Sequence, residues 1–340
     1  MGLIDSREIQ RGAWLATALA ALLIAGCGGG GGNGSESSAG AGASVAVSEA
    51  GAPAASGDTA ADGFNWFNFR RRQMGLAQVS RNALIDKAAV NHSNYQAANG
   101  AISHLEVQGR QGFTGTYIYP DRVSNADLFT NNVPVAGSSR LLAAGYSFPV
   151  TGYAFGEVIS KTGDASGANA AEALITAIYH RFVIFEPKFL EAGAGSAQAA
   201  DGSVYFTVDF ASRALNSGGI GGGRFLPYPF PGQQNIPTVF LSDQEEPDPV
   251  PNQNAVGYPV SVHANNTSTL KVQSFTIAPR GGAALATRLL SSSTDPDNTA
   301  SSTAAIIPLS TLAAQTTYDV QFSGSVDNVP ASLSWSFTTR

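Results

Sequence analysis

From Gly28 to Ala61 the chain is built almost wholly of Gly, Ala and Ser, with only Glu36, Glu49 and Asp58 charged, and it lacks the large apolar side chains a core requires. Folding is therefore expected only after this stretch, where aromatic residues first cluster at Phe64 in NWFNFRRRQMGL. The 340 residues allow two domains on the usual length prior, and 43% hydrophobic content is enough for sizeable cores. A formal charge of −6, from 19 basic and 25 acidic residues, offers no basic field for a phosphate backbone, so nucleic acid is not expected as a partner. One cysteine excludes a disulfide framework and any multi-cysteine metal site.

The start of the chain carries Arg7 and Arg11, then an uncharged run from Gly12 to Ala25 that is too short to span a bilayer. That is the plan of a signal peptide. The run ends in Leu23, Ile24, Ala25, Gly26 and Cys27, which resembles the lipobox of bacterial lipoproteins. The resemblance implies removal of residues 1–26 and acylation of Cys27, a membrane partner through a lipid anchor, and a place in the cell envelope. Residues 27–61 would then be a flexible tether of roughly 30 Å end to end. Gly29 to Gly34 fits GxGxxG, but with no strand before it and no helix after it the match carries no nucleotide site.

Residues 62–212 read as a first folded body of α+β class. Ile85, Ala88, Ala89, His92 and Tyr95 recur at helical spacing between Asn82, a good N-cap, and Gly100, a good stop. A second helix is predicted from Asn169, with Glu172 as a capping-box partner, running unbroken through Ile178 and Phe182. After the Gly-rich Ala192 to Gly195, Asp201-Gly202 marks a hairpin turn, and Val204, Phe206, Val208 and Phe210 alternate with polar residues as a strand.

The ordered set NFRRRQMGL (68–76), LIDKAAVNHSNY (84–95), Ser103-His104, Gly145-Tyr146, Gly156-Glu157, His180-Arg181, FLEAGAG (189–195) and YFTVDF (205–210) resembles the bacterial branch of the CAP superfamily. This superfamily includes cysteine-rich secretory proteins, venom allergens and pathogenesis-related plant proteins. The resemblance implies an α-β-α sandwich with a surface cavity lined by His104, Glu157 and His180. It also implies a second glutamate on the helix near Ala177, where this sequence has no acidic residue. The interval from His104 to Glu157 is long for the family, which implies an inserted loop around Thr130 to Leu142.

Residues 213–255, rich in Gly and then in Pro, read as a semi-rigid connection. Beyond them, β-type runs at 258–263, 270–277, 303–309, 317–323 and 333–339 predict an all-β sandwich over 256–340, whose start could lie as early as 224. LAAQTTYDV (312–320) resembles the turn into a tyrosine-corner strand, and this body resembles bacterial Ig-like modules.

No GxSxG, HExxH or GxxxxGK[ST] pattern occurs anywhere in the chain, so the common hydrolase and nucleotide-binding readings lose their support and no catalytic residue is assigned. Of the four histidines, His92 reads as packed on the apolar face of its helix and His263 as structural or solvent-facing. His104 and His180, with Glu157, could hold a divalent cation such as zinc or magnesium through neutral imidazole nitrogens. Three function classes stay open at this point. They are a lipid-anchored module binding a lipid, another small ligand or a cation, a metal-assisted hydrolase, and a surface adhesion protein acting through its Ig-like body.

Overall fold

The computed structural model describes residues 49–118, 129–130, 133–134, 137, 139–148, 153–213 and 218–340. Cys27, the leader and the tether up to residue 48 lie outside the described residues, as do residues 131, 132, 135, 136 and 138 of the expected inserted loop. No helix among the described residues is long and apolar enough to cross a membrane.

The first body opens with α1 (Thr59–Met74) and β1 (Ser80–Arg81), followed by α2 (Ala83–Asn99). Next come the short strands β2 (Phe129–Thr130) and β3 (Val133–Pro134), then α3 (Arg140–Ala144). It closes with β4 (Ala154–Thr162), α4 (Gly167–Thr176), α5 (Ile178–Ile184), β5 (Glu191–Gln198) and β6 (Val204–Ser212). The expected end of the tether at Ala61 is corrected, because Asp58 is already the N-cap of α1 and accepts from Ala61 N–H. Upstream, Glu49 pairs with Arg70 at 2.8 Å, which ties residues near 49 to the same helix.

Helix α2 is bounded as its sequence predicts, with Asn82 accepting from Leu84 N–H and Gly100 in the left-handed region at its end. The helix expected to run unbroken from Asn169 differs in two ways. Its N-cap is Ser166, whose hydroxyl accepts from Asn169 N–H, while Glu172 instead pairs with Arg70 at 2.6 Å. It also breaks at Ala177, whose ψ of 119° is extended, so α4 and α5 are separate helices.

Four strands form one sheet in the order β1-β5-β6-β4, antiparallel except for the β1–β5 pair. Helix α2 covers one face, and α1, α4 and α5 pack on the other side, which gives three layers. The segment Ala192 to Gly195, expected before a hairpin, is itself strand β5. Its glycines let α2 lie on the backbone: a Cβ on Gly195 would stand 2.1 Å from Val90 N.

The second body contains β7 (Phe225–Tyr228), β8 (Phe240–Leu241), a 3₁₀ turn (Ser242–Gln244), β9 (Ala255–Val256) and β10 (Val260–Ala264). It continues through β11 (Leu270–Pro279), β12 (Thr287–Ser291), β13 (Thr303–Pro308), β14 (Thr317–Val326) and β15 (Val329–Thr338). Two larger antiparallel sheets result, ordered β12-β13-β10-β7 and β11-β14-β15, beside a two-stranded β8–β9 pair. The five predicted runs are all strands, and β7 and β12 are additional. Tyr318 Oη accepts from Ala313 N–H at 2.8 Å, the bond a tyrosine corner makes.

Residues 213–255 are more than a connection. Strand β7 pairs with β10, and Phe240, Val250 and Val256 pack with Ile178 and Phe182 of α5 in one buried cluster. A larger cluster runs from Phe64, Phe206 and Phe210 to Val260, Phe322 and Phe337, so the two bodies share a core. Arg181 fixes this junction. It is fully buried, donates to Ile175 O at 2.6 Å and Pro259 O at 2.7 Å, and lies between the rings of Tyr228 and Tyr258.

Candidate functional site

His104 follows α2 in an irregular segment, Glu157 sits on β4 and His180 lies in the first turn of α5. The fold brings all three together. His104 Nδ1 is 2.8 Å from Glu157 Oε1, and the His104 and His180 rings are near-parallel with centroids 6.5 Å apart.

Glu157 is buried, and two devices hold it ionised and in place. Arg140, at the start of α3, donates to Glu157 Oε2 at 2.6 Å and also to the carbonyls of His104 and Thr116. One guanidinium thus fixes both the carboxylate and the backbone that carries the histidine. Burial alone would raise the Glu157 pKa, but Arg140, with His92 and the His104 N–H, outweighs it and holds the carboxyl well below its ordinary range. Directly across the β4–β6 ladder stands Asp209, whose own carboxyl is raised well above the ordinary value by burial and by the charge of Glu157. His92 completes the interior. It is buried, bonded to Glu106 and Ser103 O, and stands 4.0 Å from Glu157 Oε1.

The second carboxylate of the site comes from an unexpected place. Ala177 cannot cap α5 with its side chain, so the first N–H groups of that helix need an outside acceptor. Glu245, buried in the Pro-rich segment, supplies it. Its oxygens accept from the backbone N–H groups of Ile178 and Tyr179, both at 2.7 Å, and of His180 at 3.1 Å. The same carboxylate lies 3.1 Å from His180 Nδ1. Sequence reasoning looked for this acid near Ala177 and passed over both Glu245 and Arg140. Nothing in the sequence announces the helix start at Ala177 that creates the need for this acceptor.

These contacts set the tautomers. A carboxylate only accepts, so Nδ1 of each imidazole carries the proton and donates, and each Nε2 keeps its lone pair. Neither Nε2 has a protein partner among the described residues, and the side chains remain 27% and 17% exposed, enough to be reached from solvent. Both rings line a cavity of about 60 Å³ together with Glu157, Tyr179, Glu186, Glu246, Asn298 and Thr303. No set of three or more His, Cys, Asp and Glu side chains among the described residues is disposed to hold a metal ion. Two imidazole nitrogens fall short of the three or four protein ligands of a resident zinc.

No family model and no curated protein matches the chain. Among solved structures, it is similar to an extracellular protein containing an SCP domain from Bacillus anthracis, at 18% identity and a TM-score of 0.32. That match covers 45% of this chain and 39% of the other. It is also similar to an outer surface protein from Borrelia burgdorferi, at 14% identity and a TM-score of 0.31, covering 44% of this chain and 89% of that one. At these identities and TM-scores neither likeness defines a family for this chain.

Proposed function

We propose that this is an exported, lipid-anchored protein of the cell envelope, with a CAP-like first body and an Ig-like second body, that binds a small divalent cation between His104 and His180. The observation that carries the reading is the pair of Nδ1–carboxylate hydrogen bonds, to Glu157 and Glu245, which leaves two Nε2 lone pairs at one cavity. Metal-bound histidines are oriented in this manner by carboxylates behind them. Both rings line the same cavity with centroids 6.5 Å apart, and an ion shared between them would sit about 2 Å from each Nε2. Water molecules fill the remaining positions, so the ion exchanges readily.

Size argues against a lipid ligand. A cavity of about 60 Å³ is well below the roughly 300 Å³ at which pockets for small organic ligands begin. Export and anchoring rest on the basic start, the short apolar run and Cys27.

Zinc titration calorimetry on the full chain in detergent at pH 7.5 tests the binding reading. One saturable site is expected, weakened at least about tenfold by His104→Ala and by His180→Ala. Equal heats for the wild type and both variants would refute it.

A further inference from the structure

The cavity is not the property of the first body. One wall comes from the segment between β12 and β13, which contributes Asn298 and Ala300, and from Thr303 at the start of β13. Asp295 organises this segment. It accepts from Asn298 Nδ2 at 2.8 Å and from Thr299 Oγ1 at 2.7 Å, and its backbone carbonyl accepts from Thr299 N–H at 2.9 Å. Asp295 is also joined to the first body, because Tyr179 Oη donates to its Oδ2 at 3.1 Å. Tyr179 is the neighbour of His180 in α5, so this hydrogen bond, beside the packing of Ile178 and Phe182 on Leu290 and Ala305, ties the segment to the helix that carries one of the two imidazoles.

The free chemistry of the wall matches the histidines it faces. Half-buried Asn298 spends one N–H on Asp295, and its amide oxygen has no partner among the described residues. Glu246, also on the cavity, is exposed and has no ion pair among the described residues. The unpartnered groups around the space are thus two imidazole lone pairs, an amide oxygen and a carboxylate, with the second N–H of the Asn298 amide as a donor among them. Acceptors outnumber donors in this set, which favours a ligand of positive charge such as a hydrated divalent cation.

We infer that the site is composite: Asn298 of the second body contacts the bound cation or its water, and the Tyr179–Asp295 hydrogen bond positions it to do so. This rests on the cation-binding reading above. Asn298 is then a specificity-determining residue and Tyr179 a positioning residue, and occupancy of the site links the two bodies.

Zinc titration of the full chain with Asn298→Ala, Asn298→Leu, Tyr179→Phe and the Asn298→Ala/Tyr179→Phe pair tests the inference, with His104→Ala alongside. Loss of one hydrogen bond to a metal-bound water should raise Kd about fivefold in each Asn298 variant, including the volume-filling Leu. Tyr179→Phe should raise Kd severalfold when Asn298 is present and hardly at all when it is absent, since its effect acts through that residue. If His104→Ala weakens binding while the Asn298 and Tyr179 variants all bind as wild type, the site belongs to the first body alone and the inference is overturned. If His104→Ala itself binds as wild type, the cation-binding reading fails and the inference with it.

Discussion

Single side chains at the junction carry more of this protein's behaviour than their types suggest. His263, on β10, is fully buried with its ring edge-on to Phe182 and Phe185, and its Nε2 is bonded to Ser261 while Nδ1 has no partner. Burial, helped by nearby Arg181, pushes its pKa down to about 3. An unfolded histidine titrates near 6.5, so between these values the unfolded chain binds the extra proton. Stability from the neutral ring is complete above about pH 6.5 and declines as pH falls toward 3, by about 3 kcal/mol at pH 4.5. Urea unfolding at pH 7.5 and 4.5 should show the wild type losing about that much more stability across the interval than His263→Gln; equal losses would contradict the assignment. The sequence left His263 between a structural and a solvent-facing place, and the buried ring decides for the first; alternation along a strand does not tell which face meets a second core. His104, Glu157 and His180 were legible through the order of motifs around them. Glu245 was not, since it meets His180 across 65 residues from a segment without periodicity.

Elements with strong end signals were the legible ones. Asn82 and Gly100 bound α2 because the cap and the left-handed stop are local chemistry, and Asp201-Gly202 turns β5 into β6 for the same reason. The break at Ala177 was hidden, having neither Gly nor Pro to announce it. Strand β5 was hidden in the opposite sense, because its glycines read as loop while serving as the floor for α2. Their role sets a measurable cost. Gly195→Ala would drive a methyl to 2.1 Å from Val90 N, a backbone atom that cannot swing away, and should destabilise the protein by about 3 kcal/mol in urea unfolding. Gly222→Ala, with nothing within 4 Å of the added methyl, should change stability by less than about 0.5 kcal/mol. Equal effects at the two positions would mean that α2 does not rest on β5 as described.

At the scale of the molecule, the Pro-rich segment is the part that composition most misdescribes. Proline and glycine reveal that a backbone is extended and turns often, but not what it packs against. Here 213–255 delivers a strand to one sheet, apolar side chains to α5 and the carboxylate that orients His180. The two bodies are therefore joined through a common core and a common cavity, and the site at their junction exists only when both are in place. The most direct test is an anomalous difference map at the zinc edge, from crystals of the full chain grown with zinc at pH 7.5. The account predicts one peak about 2.0–2.1 Å from Nε2 of both His104 and His180, in the cleft walled by Asn298. A map with zinc bound elsewhere, or with none between the two imidazoles, would contradict it.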